Sequence, residues 1–185
     1  QDVCEQINAL LAPGPYANAP QIVLSSVTGQ GIDTLRQALI KVQREVVQRS
    51  HEGGFRLWIN RAFSVAGAGI VVTGTALSGQ VAVGDTLMLG PLGKPVRVRG
   101  LHAQNQVAEV ALAGQRVALN ISAERLALEQ IHRGQWLCAE WLYAPTQRID
   151  TDLRLLPGEP RAFEHFQPVH VHLGTQDVTG RVALL

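Results

Sequence analysis

From residue 55 onward, apolar side chains recur at every second position in short runs that glycine-containing turns separate. Phe55, Leu57 and Ile59 form the first such run. A period of two is that of a β-strand with one buried face, because successive side chains point to opposite faces of a sheet. Further strands are predicted at 86–90, 95–102, 107–112, 115–121 and 134–138. Closely spaced short strands predict a closed β-barrel, since closure removes exposed edges.

The first 50 residues follow a different pattern, which is typical of an α/β segment. Residues 2–11 predict the end of a helix, which the Pro-Gly-Pro run at 13–15 terminates. The apolar run 21–25 predicts a short buried strand. Apolar residues at helical spacing over 35–46 predict an amphipathic helix, and Asp33 lies near its start, where a carboxylate complements the helix dipole.

Two breaks divide the chain into three predicted domains. The glycine-containing linker 50–54 ends the α/β part, residues 1–50, and Pro145 follows the barrel, residues 54–142. The third part, residues 145–185, contains predicted strands at 147–156, 169–173 and 178–185. Because three strands rarely form a stable unit unaided, we expect this second β domain to be incomplete.

The composition excludes several classes of protein. Hydrophobic residues make up 46% of the 185 residues and charged residues 17%, which is typical of a globular chain. No apolar run approaches the roughly 18 residues that cross a bilayer, so we predict no membrane partner. A formal net charge of +1 is unlike that of strongly basic DNA-binding domains, so we predict no DNA partner. Cys4 and Cys138 lie far apart, which favours reduced thiols in a cytoplasmic protein. Because the chain begins with Gln1 rather than Met, we expect an upstream part to be missing.

The glycine-rich stretch 65–69 predicts a β-turn rather than a phosphate-binding loop. It lacks the Lys-Ser/Thr ending of a P-loop, and no helix follows it to supply anion-binding N–H groups. Glycine suits such a turn because it adopts positive φ angles without strain.

The same stretch lies within a longer pattern that resembles the barrel following the G domain in translational GTPases. Residues 63–74 and 78–85 are similar to the first strands of that barrel, and 96–102 and 113–120 fit its later strands. Residues 175–182 resemble the aspartate-valine-threonine-glycine turn in the second barrel of elongation factor Tu and its relatives. The resemblance covers nearly the whole chain. It implies a mainly β fold, in which the α/β tail of a G domain precedes a domain II-like β-barrel and a partial second β-barrel.

Finer matches point to one subfamily. Residues 55–63, 97–106 and 114–116 resemble bacterial selenocysteine-specific elongation factors. That family delivers selenocysteyl-tRNA to the ribosome in a GTP-dependent manner, and a C-terminal region, absent here, binds the selenocysteine-insertion hairpin of the mRNA. The resemblance therefore implies that this chain carries aminoacyl-tRNA-binding barrels, with selenocysteyl-tRNA and the ribosome as partners.

The resemblance also implies a pocket for the selenocysteyl end of the tRNA in the first barrel. In the family an aspartate-arginine pair on the first strand and a later arginine form it, and the two arginines correspond to Arg61 and Arg116. Asn60 stands where the family has aspartate, so the charge that would hold an arginine in place is absent. His102, within the match at 97–106, belongs to the same predicted pocket.

The chemistry of selenium supports two arginines in such a pocket. A selenol is more acidic than a thiol or an alcohol and is largely ionised at neutral pH, and guanidinium groups favour that anion. A neutral seryl hydroxyl would leave the same arginines poorly paired, so the wrong ligand is penalised. Arg61 and Arg116 could instead form surface ion pairs worth at most about 1 kcal/mol, and composition alone leaves that alternative open.

Nucleotide binding is predicted to be incomplete in this chain. Ser25, Ser26 and Val27, followed by a glycine-containing turn, resemble the last guanine-contacting loop of translational GTPases. The P-loop, the magnesium-binding D-x-x-G and the guanine-binding N-K-x-D motifs are absent from the sequence. Because GTP hydrolysis requires these groups, we predict no catalytic residue and no cofactor in this chain, whereas the resemblance implies GTP and magnesium as cofactors of the parent protein.

Three histidines provide an alternative of a different class, a metal-binding β-barrel protein. His170 and His172 would share one face of a strand, and His165 lies nearby. Zinc sites usually take four ligands, and no cysteine or carboxylate quartet accompanies these histidines, so we predict no metal.

The rival within the superfamily is a general aminoacyl-tRNA or initiator-tRNA carrier, which the replacement of aspartate by Asn60 keeps possible. Trp58, Trp136 and Trp141 could stack on bases of an RNA partner. Packing in the core or at the barrel rim is the usual role of isolated tryptophans, and we expect that role here.

Overall fold

The computed structural model describes residues 3–45, 51–156 and 158–184. The chain divides into two compact units, and each is described by itself. The first comprises Gln1–Val47 and Asp150–Phe163, and the second comprises Gln48–Ile149 and Glu164–Leu185. None of the helices in the described ranges has the length and apolar character needed to cross a membrane.

The first unit contains two helices, α1 (Val3–Leu11) and α2 (Ile32–Glu45). Both predicted helices are confirmed. Asp33 lies in the first turn of α2 and pairs with Arg36 at 3.3 Å. Because this pair is exposed, it contributes little to stability. Val46, which the periodicity placed in the same helix, lies outside the described residues.

The strand predicted at 21–25 is wrong. This segment has no regular secondary structure, and Val23 and Leu24 are 68% and 43% exposed. A β-strand forms only where a neighbouring strand completes its backbone hydrogen bonds, and no described segment pairs with this one. The apolar run 21–25 therefore forms no strand, because no neighbouring strand is present among the described residues to complete a sheet.

The second unit is built from short strands connected by tight turns. The strands of the barrel region are β1 (Arg56–Val65), β2 (Gly69–Ser78), β3 (Gln80–Ala82), β4 (Thr86–Gly90), β5 (Lys94–Ala103), β6 (Gln106–Ala108), β7 (Val110–Leu112), β8 (Arg116–Ser122) and β9 (Trp136–Cys138). The strands predicted between residues 86 and 138 are confirmed, with one difference. The run 107–112 splits in two, because β6 pairs with β5 whereas β7 pairs with β3.

Six of these strands close into an antiparallel barrel. The hydrogen-bonded order is β4-β9-β1-β2-β8-β5, and β5 pairs back onto β4. Each strand of this ring therefore has a neighbour on both sides. The turn between β1 and β2 contains Gly67 and Gly69 at φ angles of 78° and 90°, which confirms the predicted positive-φ turn. The predicted mainly β fold with a closed barrel is confirmed.

The interior of the barrel is apolar. Among the described residues no polar or charged residue is buried as a whole. The largest fully buried side chains are Phe55, Leu57, Ile59, Leu89, Leu119, Ile121 and Leu137. Each such burial stabilises the fold by about 1.5–3 kcal/mol relative to an exposed side chain. Because inward and outward positions alternate along each strand, the outer surface is left to polar and charged residues.

A β-hairpin completes the second unit. Its strands are β10 (Gln167–Leu173) and β11 (Gln176–Val182), and Gly174 and Thr175 form the turn between them. They correspond to the strands predicted at 169–173 and 178–185, except that β11 ends at Val182, and Leu185 lies outside the described residues. The strand predicted at 147–156 is wrong, because every residue there is exposed and no described strand lies beside it to share hydrogen bonds.

Candidate anion-binding face

One row of outward-facing residues crosses four neighbouring strands of the barrel. Arg61 of β1 lies opposite Thr73 of β2, and Thr73 lies opposite Ala118 of β8. Ala118 in turn lies opposite His102 of β5. Directly opposite residues on adjacent strands project to the same face of a sheet. Arg116 lies two residues before Ala118 on β8 and so shares that face. The structure thus brings Arg61, Arg116 and His102 onto one surface, and their joint role in binding stays a prediction.

A β-bulge in β1 turns Arg61 outward. Ile59 pairs with Gly74 and Arg61 pairs with Thr73, so Asn60 is an extra residue without a partner in β2. Residues two apart on a regular strand share a face, yet Ile59 is fully buried and Arg61 is exposed. The extra residue reverses the alternation, as bulges beside binding sites commonly do. Asn60 itself is half-buried.

The four strands that carry this row are basic and contain no carboxylate. Their cationic or titratable basic residues are Arg56, Arg61, Lys94, Arg97, Arg99, His102 and Arg116. No Asp or Glu occurs in β1, β2, β5 or β8, although the whole chain has 15 acidic against 16 basic residues. Such a local excess of positive charge on a nearly neutral chain attracts an anion.

The guanidinium groups of Arg61 and Arg116 make no hydrogen bond or ion pair with any residue in the described ranges. Other basic side chains of the barrel are engaged: Arg99 Nε donates to Ser122 Oγ at 2.7 Å, and Lys94 Nζ donates to the backbone oxygen of Arg125 at 3.0 Å. The alternative that the two arginines form surface ion pairs is therefore wrong for this part of the chain. Both guanidinium groups are available to an external anion.

Two polar side-chain atoms are buried on the same face without a hydrogen-bond partner in the described chain. They are Thr73 Oγ1 and Asn120 Oδ1. Thr73 stands beside Arg61 in the row, and Asn120 follows Ala118 by two residues, so both are outward positions. Because buried polar atoms are usually paired, these two can serve a ligand. Sequence reasoning missed them, since their signal is only a polar residue at an outward strand position.

The predicted guanine-contacting loop lies in the first unit. Ser25, Ser26 and Val27 precede α2 in a turn, in which Ser25 Oγ accepts a hydrogen bond from the N–H of Thr28 at 3.2 Å. The backbone oxygen of Ser25 accepts another from the N–H of Gly29 at 2.9 Å. Val27 is 94% exposed, so this loop is accessible. Its contact with a nucleotide stays a prediction.

The three histidines do not converge. His170 and His172 stack on one face of β10 with ring centroids 6.4 Å apart, and Asp177 Oδ1 lies 3.1 Å from His170 Nδ1 and 3.9 Å from His172 Nδ1. His165 is engaged elsewhere, because its Nδ1 accepts a hydrogen bond from the N–H of Leu184 at 3.1 Å. Within the described ranges, no group of three His, Cys, Asp or Glu side chains is arranged to hold a metal ion.

The tryptophans divide into two kinds. Trp58 and Trp136 pack edge to face with ring centroids 5.7 Å apart, which confirms the expected packing role for these two. Trp141 is 72% exposed in a short 3-10 turn at Glu140–Leu142. The expected packing role is therefore wrong for Trp141, which keeps the alternative role of stacking on a base.

Comparison with known proteins agrees with this geometry. Residues 69–138 match the family described as elongation factor Tu domain 2. The selenocysteine-specific elongation factor of Escherichia coli (strain K12) is 44% identical over 184 residues, which are 100% of this chain and 29% of that protein. The chain is a region of the selenocysteine-specific elongation factor family. The protein of the same description from Haemophilus influenzae is 41% identical over 168 residues, 91% of this chain and 26% of that protein.

A solved structure extends the comparison to the fold. Translation elongation factor SelB from Methanococcus maripaludis, in complex with the GTP analogue GppNHp, superposes with a TM-score of 0.79 at 27% sequence identity. The match covers 95% of this chain and 39% of that chain. This selenocysteine-specific elongation factor region spans less than a third of the length of the curated relatives it matches: 29% of the Escherichia coli protein and 26% of the Haemophilus influenzae protein. The family predicted from the sequence is confirmed.

Proposed function

We propose that the outward face of β1, β2, β8 and β5 binds the aminoacyl end of selenocysteyl-tRNA. In this proposal the chain supplies the tRNA-binding barrels of an elongation factor that delivers selenocysteyl-tRNA to the ribosome in a GTP-dependent manner. The observation that carries it is the pair of unpaired guanidinium groups, Arg61 and Arg116, on a set of four strands that contain no carboxylate. An anion gains charge-assisted contacts there and displaces no internal partner.

Charge distinguishes the correct amino acid in this proposal. The selenol of selenocysteine is largely ionised at neutral pH, whereas the seryl hydroxyl is neutral. Arg61 on β1 and Arg116 on β8 would approach the selenolate from the two sides of β2. The hydroxyl of Thr73, on β2 between them, can donate a further hydrogen bond to the anion. His102, at the β5 end of the row, would contact the adjoining part of the ligand.

The remaining cations of the same strands suit the phosphates of the acceptor end. Arg97 and Arg99 lie on β5, and Arg97 is opposite Ser122 of β8. A cation that neutralises a phosphate releases condensed counterions, so such contacts strengthen binding at low salt and weaken it at high salt. These arginines would add affinity for any tRNA without distinguishing the amino acid, because phosphates are common to all of them.

Other parts of the proposal concern the whole protein. We assign residues 1–50 to the end of a G domain, 54–142 to the first β-barrel and 145–185 to part of a second barrel. GTP and magnesium would bind motifs that this sequence does not contain, with the loop before α2 contacting guanine, and this chain would hold no cofactor of its own. The selenocysteine-insertion hairpin of the mRNA would bind a region outside this sequence. The cytoplasm is the proposed location.

A general aminoacyl-tRNA or initiator-tRNA carrier is the second candidate, and Asn60 is the observation that favours it. A carboxylate at the bulge would hold the adjacent guanidinium of Arg61 by its charge, but the amide of Asn60 is neutral. The direction of the Arg61 side chain is then set only by the position of its backbone. A less constrained arginine discriminates less between a charged and a neutral amino acid.

Binding to one tRNA body, charged with selenocysteine or with serine, tests the proposal at a fixed salt concentration. We expect the selenocysteyl form to bind roughly tenfold tighter or more, because a hydrogen bond to a charged group contributes about 1.5–3 kcal/mol. R61A and R116A should each reduce this preference. R97A is the matched control. Arg97 lies opposite Ser122, which is six residues from Arg116 along β8, so its loss should weaken the binding of both charged tRNAs alike.

The outcomes separate the two candidates. Equal binding of both charged tRNAs by the unmodified chain would favour the general carrier. Failure to bind either form would contradict the proposal that this chain carries the aminoacyl-end site.

A further inference from the structure

The turn of the β10–β11 hairpin sits directly against the bulge of β1. Thr175 Oγ1 donates a hydrogen bond to the backbone oxygen of Ile59 at 3.0 Å. The same oxygen accepts a second hydrogen bond from the N–H of Gly134 at 3.2 Å, and the N–H of Ile59 donates to the backbone oxygen of Gln135 at 2.8 Å. Because Ile59 immediately precedes the extra residue Asn60, these contacts hold the backbone at the point where the bulge begins.

Gly174 allows the turn to come this close. Its φ of 62° lies in the left-handed region, and a Cβ there would lie 2.4 Å from Nε1 of Trp58. Trp58 precedes Ile59 and packs edge to face against Trp136. The turn therefore packs on an indole ring and bonds to the neighbouring backbone oxygen, which ties it to β1 at two adjacent residues.

We propose that Thr175 is a positioning residue for Arg61, so that the hairpin turn takes part in recognising the aminoacyl end. This inference rests on the proposed function and deepens it. Strand pairing determines a bulged backbone weakly, because the extra residue, Asn60, has no partner in β2. The hydroxyl of Thr175 supplies a constraint from outside the barrel, one residue before the bulge. Without it Arg61 still points outward, but its guanidinium is less closely directed to the anion.

A positioning role differs measurably from a purely structural one. If Thr175 only fastened the hairpin to the barrel, its loss would lower stability and affect every tRNA alike. If it directs Arg61, its loss reduces binding of the selenocysteyl form selectively, because only that form depends on the guanidinium contact.

Three substitutions test this role in the tRNA-binding assay. T175V removes the hydroxyl and keeps the shape of the side chain, T175S keeps the hydroxyl, and T179V is the control at an exposed threonine of β11. We expect T175V to weaken selenocysteyl-tRNA binding roughly threefold to tenfold, the effect of one hydrogen bond, with seryl-tRNA binding unchanged. T175S should recover most of the loss, and T179V should bind like the unmodified chain.

The amide resonances of the bulge give a second readout that needs no tRNA. In T175V, but not in T179V, we expect the amide signals of Asn60 and Arg61 to shift. We also expect faster hydrogen exchange at the N–H of Gly134, which shares the oxygen of Ile59.

Each failure is distinguishable. If the unmodified chain binds both charged tRNAs equally, the proposed function fails and the role of Thr175 fails with it. If the unmodified chain discriminates and T175V discriminates equally well, with unchanged amide signals, only the positioning role is overturned. Equal weakening of both charged forms in T175V would also overturn it, because that result describes a structural contact.

Discussion

Gly74 on β2 approaches Trp58 on β1 so closely that a Cβ at position 74 would lie 2.2 Å from the backbone oxygen of Trp58. The side chain of Leu57 would be within 2.8 Å of the same Cβ. A backbone oxygen cannot withdraw as a flexible side chain can, so this position admits only glycine. The close approach occurs beside the bulge that directs Arg61, because Gly74 is the partner of Ile59.

We therefore expect G74A to lower the free energy of unfolding by about 1–3 kcal/mol or more, since an added methyl group must separate β1 from β2. Urea unfolding followed by tryptophan fluorescence measures this change. G100A is the control, because a Cβ at Gly100 meets no atom within 4 Å, and its effect should stay within about 0.5 kcal/mol. A G74A variant as stable as the unmodified chain would contradict the described packing.

Restoring a carboxylate at the bulge should sharpen discrimination. In N60D a negative charge lies next to Arg61 and restrains its guanidinium, so the ratio of selenocysteyl-tRNA to seryl-tRNA affinity should rise roughly threefold to tenfold. Parallel binding titrations with the two charged tRNAs measure the ratio. N105D places the same charge at an exposed residue between β5 and β6 and should leave the ratio unchanged. A ratio that falls in N60D would show that Arg61 acts through net charge rather than through its position.

The phosphate contacts proposed for β5 predict a specific salt dependence. Each lost contact should reduce the slope of log affinity against log salt concentration by about 0.7–0.9. We expect R97A to reduce the slope by about this amount with either charged tRNA and R97K to preserve it, because lysine keeps the charge. Titrations at several salt concentrations provide the slopes. An unaltered slope in R97A would exclude a phosphate contact at Arg97.

Cys138 should be an unreactive thiol at neutral pH. Burial in β9 raises its pKa, and the positive charge of Arg56 and a hydrogen bond involving Trp136 offset part of this rise. In a C4S background, labelling with a thiol reagent at about pH 8 should be at least roughly tenfold slower in the folded chain than in urea, since the thiolate is the reactive form. R56A should slow it further. Equal rates in the folded and unfolded chain would contradict the burial of this residue.

The same shift has a defined effect on stability. Because the folded state favours the protonated thiol, the contribution of Cys138 is fully present below the pKa of an unfolded thiol, about 8.5, and is lost as the pH rises through the higher folded value. Unfolding free energies of the C4S variant should therefore decline more steeply at alkaline pH than those of a C4S/C138A variant. Parallel declines would show that another group is responsible.

Much of the barrel could be predicted because most of its strands alternate buried and outward residues, with breaks only at bulges such as that in β1. The strand predicted at 86–90 coincides with β4, and the glycine turn at 65–69 has the expected positive φ angles. The strands predicted at 21–25 and 147–156 failed for a common reason. A sequence shows which segments could be strands, but a strand also requires a neighbour, and neither segment has one among the described residues.

The site was predicted in part. Family resemblance selected Arg61, Arg116 and His102, and the structure places them on one face. Simple alternation along β1 would have put Arg61 on the same side as the buried Ile59, and only the register reveals the bulge that separates them. The contact of Thr175 with Ile59 joins residues 116 positions apart, and no local pattern in the sequence indicates it.

Closure of the ring has a consequence for how this region can change in evolution. Because β5 pairs back onto β4, the six registers form a closed loop, and a residue inserted in any one strand shifts the alignment of all the others or forces a compensating bulge. An insertion in β4 or β9 would thus displace Arg61 relative to His102 even though neither strand carries a residue of the row. Differences in length between related sequences should consequently fall in the turns, and the six strands should vary by substitution alone.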